Sequence, residues 1–208
     1  MLRSQASESA SIARVCDNGA MQAIDLLLRR QSAGKLTEPA PGAAALELMF
    51  ASAVRAPDHG RLRPWRFVVI DAPARAAFGD VLAAHLHRTH AAVSEETLRR
   101  ERQKAFRAPM ILVVAAHTTP GVKIPVIEQL LSAGAAAEAM LLAAVALGFN
   151  GIWKTGAPAY DDTVKAALGL GTSDAIVGFL YLGSEAVAVA PAAPREWRDL
   201  VRRWEPAR

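Results

Sequence analysis

The chain has 208 residues, of which 52% are hydrophobic and 21% charged, with a formal net charge of +4. That is long enough for one domain with its own core, and the composition excludes a disordered chain. Cys16 is the only cysteine, which excludes an internal disulfide and a cysteine metal site and suits a reducing, cytoplasmic setting.

Residues 1–20 carry no hydrophobic period and no apolar signal core, so they read as a loose N-terminal extension ahead of one domain over 21–208. Ile24, Leu27 and Leu28 share one face of a helix predicted over 22–30. The Pro39-Ala40-Pro41-Gly42 break separates it from a second helix over 43–55, with Leu46, Met49, Phe50 and Ala53 at helical spacing. Pro57 forces Ala56 out of the α region and stops that helix. A polar corner follows, then a strand over 65–71.

Helices are predicted over 74–88 and 94–105, and Met110 to Ala116 is a continuous apolar strand of the buried kind. A long Ala-rich helix runs over 126–147. Gly148 stops it, 151–154 is a short strand, 161–168 a helix, and 176–182 the last strand. The stretch Leu130–Phe149 holds Glu138 and several small residues, so it reads as a buried helix rather than a membrane span. Helices outnumber strands without alternating one for one, which predicts an α+β class. No Gly-x-Gly-x-x-Gly follows a strand, so no Rossmann site is expected.

Two charged features read as surface. The run Arg99–Lys104 contains Glu101 and no interleaved aromatics, which predicts a solvated helix face and argues against a nucleic-acid partner. His85 and His87 point about 200° apart on a helix, and nothing nearby completes a set with His87 and His90, so no metal is expected.

The corner Arg55-Ala56-Pro57-Asp58-His59-Gly60-Arg61-Leu62-Arg63-Pro64-Trp65-Arg66 gathers four cations and a His beside a Trp, a setting for a flat anionic ligand. Together with Arg30-Gln31-Ser32-Ala33-Gly34-Lys35, Gly151-Ile152-Trp153-Lys154-Thr155-Gly156 and Val177–Gly183, in that order, it resembles the FMN-binding nitroreductase family from Met21 to about Gly183. The resemblance implies a single α+β domain with a mixed central sheet covered by helices, a homodimer, and FMN at the subunit interface. It implies that Arg30, Gln31 and Ser32, with Lys35 nearby, hold the phosphate and ribityl chain. Arg55 and His59 would contact the flavin, Arg63 would face its polar edge, and Trp153, Lys154, Thr155 and Gly156 would run alongside it.

Departures from the family pattern are Gln31 and Lys35 where Arg is usual, and Arg61 and Arg63 where Asn and Gln are usual. The resemblance also assigns Ala143, Ala144, Val145, Ala146, Leu147 and Gly148 to NAD(P), whereas the residues themselves read as buried helix packing. The activity implied is an FMN-dependent NAD(P)H oxidoreductase that passes a hydride to a nitroaromatic, a quinone or a similar small acceptor. Two alternatives stay open: a flavin oxidoreductase with an unrelated substrate, and a non-catalytic flavin-binding regulator.

Overall fold

Strand β3 (Met110–His117) is buried on both faces, and its alternation divides the core in two. Met110, Leu112 and Val114 point to one side, where they meet Met49, Ala136, Ala137 and Met140. Ile111, Val113 and Ala115 point to the other, against Phe78, Leu82, Ala105 and Ala108. Full burial of each such aliphatic side chain contributes about 1.5–3 kcal/mol, so this strand anchors both halves. The apolar run that marks β3 in the sequence is the signature of a strand with no wet face. In this computed structural model, residues 23–188 and 196–206 are described. The expected extension over 1–20 and the Pro/Ala-rich stretch at 190–194 lie outside them.

The remaining strands are β1 (Leu36–Thr37), β2 (Trp65–Ile70), β4 (Asn150–Lys154) and β5 (Asp174–Glu185). β5 is the hub: it pairs with β1, β3 and β4, and β2 closes the far side of β3. All four described pairings are antiparallel, which corrects the expected mixed sheet. The connection between β2 and β3 gives the reason. Helices α3 (Arg75–Thr89) and α4 (Glu95–Gln103) pack out and back, with Arg102 near the end of α4 bonded to Asp80 near the start of α3. The chain thus returns to the end of the sheet that it left, whereas a single crossover helix would give parallel neighbours.

Helix α2 (Ala43–Ala53) and the long α5 (Val126–Ala146) cover the first face of the sheet. Ala133, Ala136, Ala137 and Ala144 are fully buried, and their small side chains let α5 lie close to the strands. Helix α5 is long and apolar enough to cross a membrane by length and composition alone, but here its inner stripe is the core of the fold. Its outer stripe is not covered: Leu131 is 65% exposed, and Ile127, one turn earlier, is also exposed. The seven-residue α1 (Ala23–Arg29) has no buried residue, and Leu28 is 78% exposed. Its predicted apolar face exists but is not packed by the described residues. Helices α3 and α4 cover the second face, with α6 (Asp162–Ala167) beside α3. As expected, Arg99 and Arg100 pair with Glu96 on the exposed side of α4.

Candidate functional site

The corner after α2 is built by one carboxylate. Asp58 accepts the backbone N–H of Leu62 at 3.1 Å through Oδ1 and that of Arg63 at 2.8 Å through Oδ2. Those two bonds hold a backbone that L-residues resist: φ is 76° at Gly60, 56° at Arg61 and 48° at Arg63. A left-handed conformation costs a residue with a Cβ about 1–2 kcal/mol, so two arginines here store strain of the kind found at ligand sites. The outcome is a cleft of about 820 Å³ lined by Arg55, Arg61, Arg63 and Arg66 with Trp65 and Phe67, and by Asp58 as its one carboxylate. The side chains of Arg55, Arg61 and Arg63 make no described ion pair. His59 does not line this cleft; its Nδ1 meets Glu128 of α5 at 2.5 Å. Trp65 is tied to the same helix, its Nε1 donating to Ser132 Oγ at 3.0 Å.

The second group lies at the other half of α5. Arg30 follows α1 directly, and its Nε is 3.1 Å from Glu138 Oε1. Three residues on, the Ala33 N–H donates to the Gly151 carbonyl at 3.2 Å. That bond lays the segment Arg30–Ser32 beside β4. Lys35 is exposed and precedes β1, where its carbonyl accepts the Ala186 N–H. At the far end of β4, Trp153 turns towards α5 and α2, whereas Ile152 packs on the α3 side. Lys154 therefore also leaves on the α3 side. Thr155 and Gly156 are exposed, and Gly156 has φ 123°. A Cβ there would meet only Pro158 Cδ, at 3.8 Å, so a flat ligand can approach this backbone closely.

The chain thus places the predicted residues in two sets. Arg30, Gln31, Ser32, Trp153, Thr155 and Gly156 flank β4, whereas Arg55 and Arg63 line the corner cleft with His59 beside it. Glu128 and Glu138 mark the two sets along α5; ten residues of helix separate them by roughly 15 Å. Ala143, Ala144, Val145, Ala146, Leu147 and Gly148 form the end of α5 and its stop. Ala144 is buried, and Ala143 and Leu147 pack on the core. This stretch has no polar side chain to offer a nucleotide.

Three residues important to this geometry carry no mark in the sequence pattern of the site. Glu128, Ser132 and Glu138 sit 69, 67 and 108 positions from the residues they hold, and no local rule reaches that far. Asp58 had a local signal, an Asp just ahead of His-Gly in a turn.

Behind β4, Asp161 caps α6 by accepting the Val164 N–H at 3.0 Å, and Arg88 of α3 donates to both of its oxygens. Burial raises the Asp161 carboxyl, but the hydrogen bonds from Arg88 and Val164 outweigh it and hold the pKa at about 2. Among the described residues, no group of three or more His, Cys, Asp or Glu is arranged to hold a metal.

An antiparallel sheet covered by helices on both faces, with a cationic cleft at the corner after α2 and Arg30 held on α5, defines a protein of the α+β class suited to an anionic ligand. The Nitroreductase family model matches residues 27–184, and the chain belongs to that family of oxidoreductases. It is 42% identical over 164 residues to the Escherichia coli (strain K12) protein named "Putative NAD(P)H nitroreductase YdjA", covering 79% of this chain and 88% of that one. Among solved structures, the nitroreductase-like family protein from Bacillus cereus superposes with a TM-score of 0.76 at 21% identity, over 91% of this chain and 99% of that one. The nitroreductase with bound FMN from Bacteroides fragilis gives 0.68 at 18% identity, over 89% and 100%. At such identities the likeness establishes the fold.

Proposed function

We propose that the chain is an FMN-dependent NAD(P)H oxidoreductase that works as a homodimer and reduces a small-molecule acceptor such as a nitroaromatic or a quinone. One observation carries this reading: the Ala33–Gly151 hydrogen bond, which sets a cationic and hydroxylic segment beside an open strand end. The donor set fits the cofactor. A phosphate close to dianionic needs several cations or N–H donors, which Arg30, Ser32 and Lys35 supply. A planar ring needs close approach to backbone, which Thr155 and Gly156 allow.

FMN, when bound, supplies the hydride chemistry; the protein holds, orients and shields it. In this reading Arg30 grips the phosphate and is aligned for it by Glu138. Trp153, held from the α5 side, fixes the strand end against which the ring rests. The guanidinium groups at Arg55, Arg61 and Arg63 bring positive charge to the polar ring edge, where it stabilises negative charge most strongly once water is excluded. The two sets stand roughly 15 Å apart along α5 within one chain. A two-fold copy would join the corner cleft of one subunit to the β4 end of its partner and cover α1 and the outer stripe of α5. Ala143–Gly148 serves by packing, fixing where β4 begins. A nicotinamide cofactor and a single cysteine both suit the reducing cytoplasm.

The test is chemical. The purified protein is denatured, the released flavin identified, and NADH and NADPH oxidation followed with a quinone and with a nitroaromatic. The expected result is FMN at about one per subunit and acceptor-dependent turnover. Recovery of FAD, or no flavin after reconstitution, would sink the reading. FMN without any turnover would leave a non-catalytic flavin binder.

A further inference from the structure

We infer that the cavity between α3, α4 and the ends of β4 and β5 is a second ligand site, built for a small oxyanion carried on a flat apolar body, such as an aryl carboxylate. It goes beyond the flavin reading, although the two share the strand end Lys154–Gly156.

The cavity measures about 220 Å³, smaller than the pockets of roughly 300–1,000 Å³ that take drug-sized ligands. Its apolar wall includes Phe78, Leu82 and Phe179, and the Phe78 and Phe179 rings are 5.7 Å apart. Its polar side converges on three donors, Arg107, Lys154 and the Tyr181 hydroxyl. None of the three side chains has a described hydrogen bond or ion pair. Tyr181 is 5% exposed, with its ring in the core and its hydroxyl at the cavity. Burial raises its pKa, so it remains a donor at neutral pH. The one carboxylate in the lining, Glu101, is already taken by Lys104 at 2.6 Å. His85, 5% exposed, also lines the cavity, with its Nδ1 turned to Asp161 Oδ2 at 3.2 Å.

Three donors with no protein acceptor, set against an aromatic wall, match a carboxylate on a ring. Arg107 can grip it with its planar fork, and Lys154 and Tyr181 can complete the shell. The cavity meets the backbone proposed for the flavin at Thr155 and Gly156, but its cationic side lies away from the Arg30 segment. Strand alternation sends Lys154 and Ile152 to the α3 side, opposite Trp153 and α5.

Benzoate is the probe and benzamide its neutral counterpart, titrated calorimetrically into the full chain before and after saturation with FMN. One benzoate per chain is expected in both states, with benzamide at least tenfold weaker. Tyr181→Phe and Arg107→Gln should each weaken benzoate by roughly 10- to 150-fold, the effect of one hydrogen bond to a charged group. Lys123→Met, an exposed cation elsewhere, should leave it unchanged. Thermal midpoints and circular dichroism check that the variants fold. The inference fails if benzoate does not bind, if benzamide binds equally, if both cavity variants that fold bind as the parent does, or if FMN releases benzoate one for one.

Discussion

The indole of Trp153 occupies the space that a side chain at Gly178 would need: a Cβ built there stands 2.1 Å from Trp153 Nε1. The same Nε1 donates to the Val177 carbonyl at 3.3 Å. One residue without a side chain therefore sets the ring that steers the end of β4.

Gly178→Ala should consequently act at a distance. The displaced indole must leave its slot, and overpacking of this kind costs about 1–3 kcal/mol. Denaturant unfolding should report that loss, and Trp fluorescence should shift. Flavin retention should fall with it, because Thr155 and Gly156 follow Trp153 directly. Unchanged stability and unchanged flavin affinity would show that the slot is slack.

Arg30→Ala should weaken FMN by roughly 10- to 150-fold, since a hydrogen bond to a charged group contributes about 1.5–3 kcal/mol. The fold should remain intact, because the Arg30–Glu138 pair is partly exposed and contributes little to stability. Titration of the variant with FMN, followed by flavin fluorescence, measures the effect. Equal affinity in variant and parent would reduce Arg30 to a helix-end partner of Glu138.

Stability should depend on Asp161 at low pH. Its folded pKa of about 2 lies below the ordinary 3.8, so its contribution is fully present above about pH 4 and is lost as pH falls towards 2. Asp161→Ala removes the cap on α6 and the partner of Arg88, and should cost about 1–2 kcal/mol at pH 7. The variant's unfolding free energy should then vary less between pH 4 and 2 than the parent's. Parallel pH profiles would refute the assignment.

Leu131→Arg should shift the protein from dimer towards monomer without unfolding the protomer, because Leu131 is 65% exposed on the outer stripe of α5. Met140→Arg, on the fully buried inner stripe, should instead collapse the subunit core. Sedimentation over a dilution series, with and without FMN, separates the two, and added FMN should favour the dimer by mass action. A Leu131→Arg protein that stays dimeric at every concentration would move the interface elsewhere.

Much of the chain's order was legible from local chemistry. The apolar run of β3, the Ala-rich stripe of α5 and the stop at Gly148 each announce themselves within a few residues. β1 does not, because two residues carry no period and become a strand only by meeting Ser184 and Glu185. β5 was read over 176–182 but spans 174–185, since pairing with β3 and β1 extends it past its apolar part. The apolar face of α1 was legible, but its lack of cover among the described residues was not. The basic motifs at Arg30 and Arg55–Arg63 could be read, whereas the carboxylates that hold Arg30 and His59, Glu138 and Glu128, lie 108 and 69 residues away in sequence. For the same reason the convergence of Arg107, Lys154 and Tyr181 left no trace in the sequence.

The position of β5 governs how this protein can be made. Strands β1 and β4 have no described partner other than β5, and β5 is the last of the described strands. During synthesis β2 and β3 can meet early, through the out-and-back helices between them. β1 and β4 must wait, with unpaired edges, until the residues up to Glu185 have left the ribosome. Closure of the sheet is thus a late, long-range event, of the kind that slows folding and exposes nascent edges to chaperones and to neighbouring chains. Truncation of the gene anywhere before the codon for Asp174 would leave a chain that has most of its helices, a β2–β3 pair and no means of adding β1 and β4 to it.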